Sequence, residues 1–335
     1  MTSPYRVAVI GCGAICGNHI AAILNAGQTL CALCDILPER AQKMIEKYDL
    51  KNVSVYTDYH TLLEVEKPDA IHICTPHDLH APMTIAALEK NIHVLCEKPL
   101  CISLEQLNEL QAAVKSSQAQ LGVCHQNRYE ENMIRLRELA QDKVAGAFGS
   151  VVWQRDADYY NSAEWRGTWK HEGGGVMINQ ALHTLDLMQW ICGFPTHVVA
   201  HTANDTLKGV IEVEDTASAV FECENGVRFN FFATNAATAS LPVQIQIKLN
   251  TGDLIDAQNE QFCFNHELIA SKNQMSAVGK HVWGDGHKAL IRDFYNHVST
   301  KKPFPIGFDE GEKVIRLILS MYASNGNRIT IKELS

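Results

Sequence analysis

The first 122 residues alternate short β-rich runs with stretches of helical period, and this alternation constrains the fold more than any other feature of the chain. "RVAVI", "TLCALCD", "DAIHICTP", "IHVLCE" and "QLGVC" are apolar and short enough to be strands. The segments between them read as helices, the last opening at Ser103 with Gln106 three residues on, a capping box. Strands separated by helices make βαβ units, so this half predicts a parallel, doubly wound sheet. After residue 122 the pattern changes. "TASAVFECENGVRFNFFATN" reads as two strands joined at Asn225-Gly226, and "VQIQIKL" alternates strictly, with Val243, Ile245, Ile247 and Leu249 on one face. The expected fold class is α/β: a doubly wound sheet over 1–122, then an α+β domain over 123–335. That second domain would hold a large, mostly antiparallel open sheet and helices opening near Asn179 and Asp285.

A chain of 335 residues, 46% of them hydrophobic, suits two cores of ordinary size. Its 38 acidic against 29 basic residues give a formal charge of −9, and no basic block exceeds a dipeptide, which argues against a nucleic-acid or membrane partner. "MTSPY" runs directly into the first strand without a signal-like segment, and no stretch is apolar enough for a membrane span. A soluble, cytoplasmic protein is expected. The 11 cysteines are scattered over strands and helices and read as reduced core thiols. Cys31 and Cys34 form a C-x-x-C inside an apolar run, where residues three apart face opposite sides of a strand, so neither a redox nor a metal role is expected of them. His60, His72 and His93 lie in or beside apolar runs and are read as structural, and no spacing of His and Cys matches a metal site.

"GCGAICGNHI", residues 11–20, follows the first strand and opens a helix, the context of a dinucleotide-binding Rossmann fingerprint. Gly11 permits the tight turn and Gly13 lets backbone N–H groups approach a pyrophosphate at a helix N-terminus. Cys16 stands where the third glycine belongs. That position serves only helix-to-strand packing, so a small residue weakens the motif without removing the phosphate site. Asp35 ends the second strand where a ribose would lie; it suits NAD and repels the extra phosphate of NADP, with Arg40 the one nearby cation. The competing reading of Asp35 is a capping aspartate in a βα turn.

The stretch "CTPHDLHAPMTIAALEKNIHVLCEKPL" (74–100) resembles the glucose-fructose oxidoreductase, inositol dehydrogenase and MocA family, in which Glu-Lys-Pro closes a strand beside the nicotinamide. The resemblance continues in "NRY" (127–129), "WRGTWKHEGGGVMINQALHTLD" (165–186) and "WGDGH" (283–287). It implies an NAD site formed by Gly11, Gly13, Ala14, Ile15, Asp35, Thr75, Pro76, His80, Glu97 and Lys98. It also implies that Lys98 contacts the reacting hydroxyl, where an ammonium lowers the cost of alkoxide formation. His183, on the helix after three glycines and sharing a face with Asn179 and Asp186, becomes the general acid/base, for which an imidazole titrates in a suitable range.

Asn179 departs from the aspartate of inositol dehydrogenase-like members; an amide neither takes up a proton nor adds charge. Members acting at the 3-position of sugar rings often carry asparagine there. The remaining candidate substrate contacts are Arg128, Tyr129, Tyr160, Trp165, Arg166 and His287, with Tyr159 and Trp169 beside them, a mix of aromatic faces and donors suited to a sugar. The packing role of ordinary domain aromatics is the alternative for about half of them. The activity implied is hydride transfer between NAD(H) and a secondary alcohol of a sugar or sugar derivative, with the 3-position of a hexopyranoside favoured, in a homodimer or homotetramer. An inositol dehydrogenase is disfavoured by Asn179, an NADP-linked enzyme by Asp35, and a non-catalytic NAD-dependent regulator by the joint presence of Lys98 and His183.

Overall fold

The computed structural model describes residues 3–258, 261–271 and 286–331. The chain divides into two compact units. The first runs to Tyr129 and takes in a later segment ending at Glu312; the second begins at Glu130 and resumes at Lys313.

In the first unit, strands β1 (Arg6–Ile10), β2 (Thr29–Cys34), β3 (Ser54–Tyr56), β4 (Ala70–Ile73), β5 (His93–Cys96) and β6 (Leu121–Val123) pair in parallel in the order β3-β2-β1-β4-β5-β6. This is the doubly wound order whose reversal beside β1 opens a ligand crevice at the carboxyl ends of the strands. Helices α1 (Cys16–Asn25), α2 (Pro38–Lys47), α3 (Tyr59–Glu66), α4 (His80–Leu88) and α5 (Leu104–Ser116) connect them. α5 starts at the expected cap: Ser103 accepts from the Gln106 N–H at 3.2 Å, while Gln106 reaches back to the N–H of Ile102 at 3.0 Å. β3 was not legible in the sequence. It is a three-residue edge strand with no buried residue, so it leaves no apolar run.

The division expected at residue 122 is displaced, because helix α9 (Gly286–Thr300) belongs to the first unit and packs on α1. Its Leu290, Ile291, Phe294, Tyr295 and Val298 are buried, one helical stripe contributing on the order of 10 kcal/mol of apolar burial as an upper estimate. The helical period was readable there, but a period does not say which sheet the stripe covers. Of "WGDGH", Trp283, Gly284 and Asp285 lie outside the described residues, as does the expected helix start at Asp285.

The second unit contains α6 (Glu131–Ala140), β7 (Val144–Val152), α7 (Ala157–Asn161), α8 (Leu182–Cys192), β8 (Pro195–Ala203), β9 (Thr216–Cys223), β10 (Arg228–Thr234), β11 (Gln244–Leu249), β12 (Leu254–Gln258), β13 (Gln261–Phe264) and β14 (Glu267–Ser271). Helix α10 (Phe308–Ser324) and strand β15 (Ile329–Thr330) complete the described chain. The sheet order is β14-β13-β12-β11-β7-β10-β9-β8-β15. Among the described residues β7 and β10 pair in parallel and the other neighbours antiparallel, so the open, mostly antiparallel sheet is as expected. β11 buries Ile245, Ile247 and Leu249 and exposes Gln246 and Lys248, while Val243 precedes the strand and is half-buried. On the covered face Phe221 and Phe229 stack at 4.7 Å, and α8 approaches β7 so closely that a Cβ at Gly149 would stand 3.2 Å from the Met188 sulfur.

All 11 cysteines are free thiols. Burial pushes Cys31 up to about 11 and Cys34 up to about 12, well away from a reactive thiolate. No helix among the described residues is long and apolar enough to cross a membrane.

Candidate active site

The glycine loop is built for close approach. Gly11 has φ +93°, and a Cβ there would stand 2.5 Å from the carbonyl oxygen of Cys74 on the next strand; only glycine fits. A Cβ at Gly13 would meet nothing within 4 Å, so the loop's second glycine borders open space. α1 then begins at Cys16 with no acidic residue in its first turn, which leaves the positive end of its dipole available to a diphosphate. Cys16 is fully buried, and the tight contact in this helix falls one residue later, where a Cβ at Gly17 would stand 2.6 Å from the Tyr48 hydroxyl oxygen. Ala14 and Ile15 form the link between Gly13 and the helix.

Asp35 is buried at the end of β2. Its Oδ2 accepts from the N–H of Cys12 at 2.8 Å and its Oδ1 from the N–H of Leu37 at 2.9 Å. The cap reading and the ribose reading are therefore compatible: the carboxylate staples the loop to the next turn. Arg40 stands 3.8 Å from Oδ1 with its side chain half exposed.

At the ends of β4 and β5, His80 is buried with Nδ1 2.6 Å from the carbonyl oxygen of Pro99 and Nε2 2.9 Å from that of Thr75. It ties the two strand ends together, with Pro76 half-buried beside them. Between Val94 and Cys101 every residue is buried except Lys98, so the Glu-Lys-Pro turn presents one side chain to solvent. Glu97 accepts from Nε2 of His19 at 2.9 Å, from Nε2 of His287 at 3.1 Å and from the Lys98 N–H at 3.2 Å. Burial raises the Glu97 carboxyl, but the hydrogen bonds from His19 and His287 outweigh it and hold the group well below the ordinary carboxylate range. His19, Glu97 and His287 each offer a ligand-capable atom, all within 4.8 Å of one another; the distances are those of N–H donors on a carboxylate.

Three residues expected to touch substrate are engaged by acidic side chains of the first unit. Arg128 is buried in an ion pair with Glu310 at 2.8 Å, the Tyr129 hydroxyl donates to Asp293 at 2.6 Å, and His287 donates to Glu97. Their residue types suggested sugar binding; their positions on or against α9 and the first turn of α10 were not visible in sequence.

In the second unit a π-helical turn, Met177–Ala181, leads into α8, where a regular helix from Asn179 had been expected. Such turns recur at functional sites. From Glu172 to Gln189 every residue is buried except Asn179 and His183. Asp186, expected on the same face, is buried and accepts from Gln189 at 3.3 Å. Two of the three preceding glycines have a steric cause: a Cβ at Gly174 would overlap the Tyr322 hydroxyl, and one at Gly175 the carbonyl oxygen of Glu214. Glu214 is buried at the start of this helix, accepting from the N–H groups of Gly175 and Met177 at 3.0 Å each and from the Tyr322 hydroxyl at 3.0 Å. Burial pushes it up to about 7 against those donors.

Asn179 donates through Nδ2 to Glu172 and, at 3.3 Å, to the Tyr159 hydroxyl. A carboxylate is therefore present after all, one hydrogen bond behind the amide. Glu172 is fully buried and was missed because "HEGGG" reads as a charged loop. Because Nδ2 is the atom that faces Glu172, the Asn179 amide is oriented with its oxygen away from that carboxyl. Tyr160 is a core residue, packed with Leu207, Ile211 and Val213 and accepting from Asn235 at 2.7 Å. Arg166 lies over the rings of Tyr159 at 4.3 Å and Trp165 at 5.4 Å, and Trp169 packs edge-on against Tyr322 at 5.0 Å.

Residues 5–125 match the model of the Gfo/Idh/MocA oxidoreductase family with its NAD-binding Rossmann fold, and residues 133–255 match that family's C-terminal domain. The chain belongs to this family. It is 26% identical to the D-glucoside 3-dehydrogenase of Escherichia coli K12 over 98% of both chains, and 24% identical to the inositol 2-dehydrogenase of Salmonella typhimurium over 66% of this chain and 65% of that one. Among solved structures it is similar to the WlbA dehydrogenase from Bordetella pertussis in complex with NADH and UDP-GlcNAcA, with a TM-score of 0.84 at 26% identity over 98% of each chain. As a member of the family the protein is an NAD-dependent oxidoreductase acting on CH–OH groups. The open space at Gly13, the uncompensated start of α1 and the stapled Asp35 carboxylate fit that cofactor.

Proposed function

We propose that the protein moves hydride between NAD(H) and a secondary alcohol of a sugar or glycoside, with the 3-position as the favoured site. NAD, when bound, supplies the hydride acceptor or donor. Lys98 polarises the alcohol as an ammonium donor, and His183 takes the hydroxyl proton during oxidation and returns it during reduction. Asn179, turned by Glu172, presents its amide oxygen as an acceptor for a substrate hydroxyl. Trp165 and Arg166 supply an aromatic face and donors.

One observation carries the reading: within two otherwise buried runs, the side chains left accessible are Lys98 in one and Asn179 and His183 in the other. The similarity to a D-glucoside 3-dehydrogenase over nearly the full length favours the sugar class, and an asparagine at 179 disfavours an inositol. The experiment is a panel of glucosides, nucleotide sugars and inositols followed by NADH absorbance. Turnover of inositols above glucosides would refute the sugar reading, and no turnover of any polyol would favour a non-catalytic NAD sensor.

The enzyme works as a cytosolic homodimer or homotetramer in this proposal. Free cysteines throughout suit a reducing compartment. The solvent face of the large sheet carries Phe148, Val220 and Phe232, each more than a third exposed, a surface a second copy would cover. A monomer mass by light scattering at micromolar concentration would overturn the assembly.

A further inference from the structure

A buried chain of hydrogen bonds runs through the first unit to the residue before Lys98. The Tyr295 hydroxyl lies 2.9 Å from Nε2 of His72, Nδ1 of His72 lies 2.8 Å from Nδ1 of His19, and Nε2 of His19 lies 2.9 Å from Oε1 of Glu97. His287 reaches the same oxygen at 3.1 Å. The members come from α1, β4, the end of β5 and α9, and all are buried, His19 and His72 completely.

The contact between two Nδ1 atoms fixes the proton order once the charges are known. Burial lowers both His19 and His72, the latter well below its ordinary value, and raises the Tyr295 phenol, so the imidazoles are neutral and the phenol keeps its proton. The ionised Glu97 only accepts, so His19 carries its proton on Nε2 and offers a bare Nδ1. His72 must then donate through Nδ1 and offer a bare Nε2, which the Tyr295 hydroxyl fills. The reverse order would put a proton on Glu97 and leave His287 facing a neutral acid. Every link is satisfied in one direction only.

We infer that Glu97 is the positioning residue for Lys98, locked by the one-directional chain Tyr295→His72→His19→Glu97. One oxygen of the carboxylate is held by His19 and His287, and the other accepts the backbone N–H from which Lys98 departs. Because His19 lies on α1, which begins at the glycine loop, the chain ties the Lys98 turn to the helix expected to receive the diphosphate. This role rests on the reading of Lys98 given above. It acts through Lys98 and involves no contact with substrate.

The chain itself is tested by long-range proton–nitrogen spectra of the intact, NAD-loaded protein labelled with 15N-histidine. His19 is expected as the Nε2–H tautomer and His72 as the Nδ1–H tautomer, both unchanged from about pH 6 to about pH 8, the range in which an unperturbed imidazole titrates. A proton on Nε2 of His72, a charged imidazole at either position, or one equivalent of divalent metal in the purified protein would overturn the chain, since a metal needs a bare Nε2 on His19. The positioning role is tested by His19→Leu, expected to lower kcat about ten- to a hundredfold, the scale of a small misplacement of a reacting group. The NAD dissociation constant and KM should stay within about threefold. His19→Gln keeps an N–H aimed at Glu97 and should retain most of kcat; equal loss in both variants, or loss of NAD binding in step with kcat, would overturn the role. Undiminished turnover of Lys98→Ala would remove the catalytic reading and the positioning role together, while the tautomers report on the chain independently.

Discussion

Replacing Asp35 by serine is expected to change cofactor choice and loop stability together, if the carboxylate that holds the loop is also the proposed ribose acceptor. Its two oxygens take the N–H groups of Cys12 and Leu37 at 2.8 and 2.9 Å, and hydrogen bonds to a charged acceptor contribute about 1.5–3 kcal/mol each. A serine hydroxyl reaches at most one of those donors, so Asp35→Ser is expected to destabilise the first unit by about 2 kcal/mol, part of the loss being recovered by water. Arg40 contributes little to the wild-type site: at 3.8 Å and half exposed, the pair is worth about 0–1 kcal/mol. Once the carboxylate is gone, that guanidinium is free to meet an anion. NAD loses a charged acceptor for its ribose hydroxyls, about 1.5–3 kcal/mol, or roughly ten- to a hundredfold in affinity, and NADP no longer meets a like charge. The ratio of NAD to NADP affinity should therefore fall by about a hundredfold, and further when Ile36→Arg is added. Fluorescence titration with NADH and NADPH measures the ratio, and a melting curve measures the loop. A ratio unchanged within about threefold, accompanied by the expected melting shift, would show that Asp35 is a loop cap and nothing more.

Cys16→Ala should leave NAD affinity within a few-fold, because the buried thiol packs the helix and offers no phosphate donor; a large loss by the same titration would give the Cys16 side chain a part in holding the cofactor. The Glu214 carboxyl is raised to about 7 in the folded protein, so the native state holds a proton that the unfolded chain releases between about pH 4.5 and 7. Stability from this group is present at low pH and lost as pH rises through 7, by about 3 kcal/mol at most. Urea midpoints of wild type and Glu214→Gln compared at about pH 5 and pH 8 should show that slope in wild type alone. His183→Ala should cut turnover about 10²- to 10⁴-fold with NAD binding intact, and high pH should partly restore oxidation. Lys98→Ala should stay slow at every pH; pH rescue of the lysine variant with normal turnover of the histidine variant would reverse the two roles.

The first sheet was legible because each of its major strands is an apolar run between glycine or helix signals, and parallel strands covered on both faces leave that mark. β3 escaped because an edge strand of three partly exposed residues buries nothing. The glycine loop and the Glu-Lys-Pro turn were legible as local motifs whose conformations depend on near neighbours in sequence. The partners of Glu97 were not. His19, His72, His287 and Tyr295 stand 78, 25, 190 and 198 positions away from it in sequence, and in isolation His72 reads as a structural residue and His287 as a substrate contact. Likewise Arg128, Tyr129 and His287 have the residue types of a sugar site, yet their polar atoms are engaged by Glu310, Asp293 and Glu97, contacts that involve α9 and the start of α10, far away in sequence.

That contrast bears on how chemistry is placed in this protein. Lys98, Asn179 and His183 are accessible exceptions in buried runs, and two of them are backed by a buried acid: Glu97 precedes Lys98, and Glu172 holds Asn179. A buried carboxylate is costly unless fully hydrogen-bonded, and here the cost is met by fixed donors, histidine N–H groups in one case and backbone and amide N–H groups in the other. The hydrogen-bonded acid in return fixes the geometry of the group in front of it, since an acceptor with its donors in place cannot rotate without losing them. Substituting Lys98 or His183 should therefore alter chemistry with little effect on folding, whereas Glu97→Gln and Glu172→Gln should alter both. If the glutamine variants instead matched wild type in melting temperature and in turnover, the acids would be bystanders, and orientation of Lys98 and Asn179 would have to come from the substrate itself.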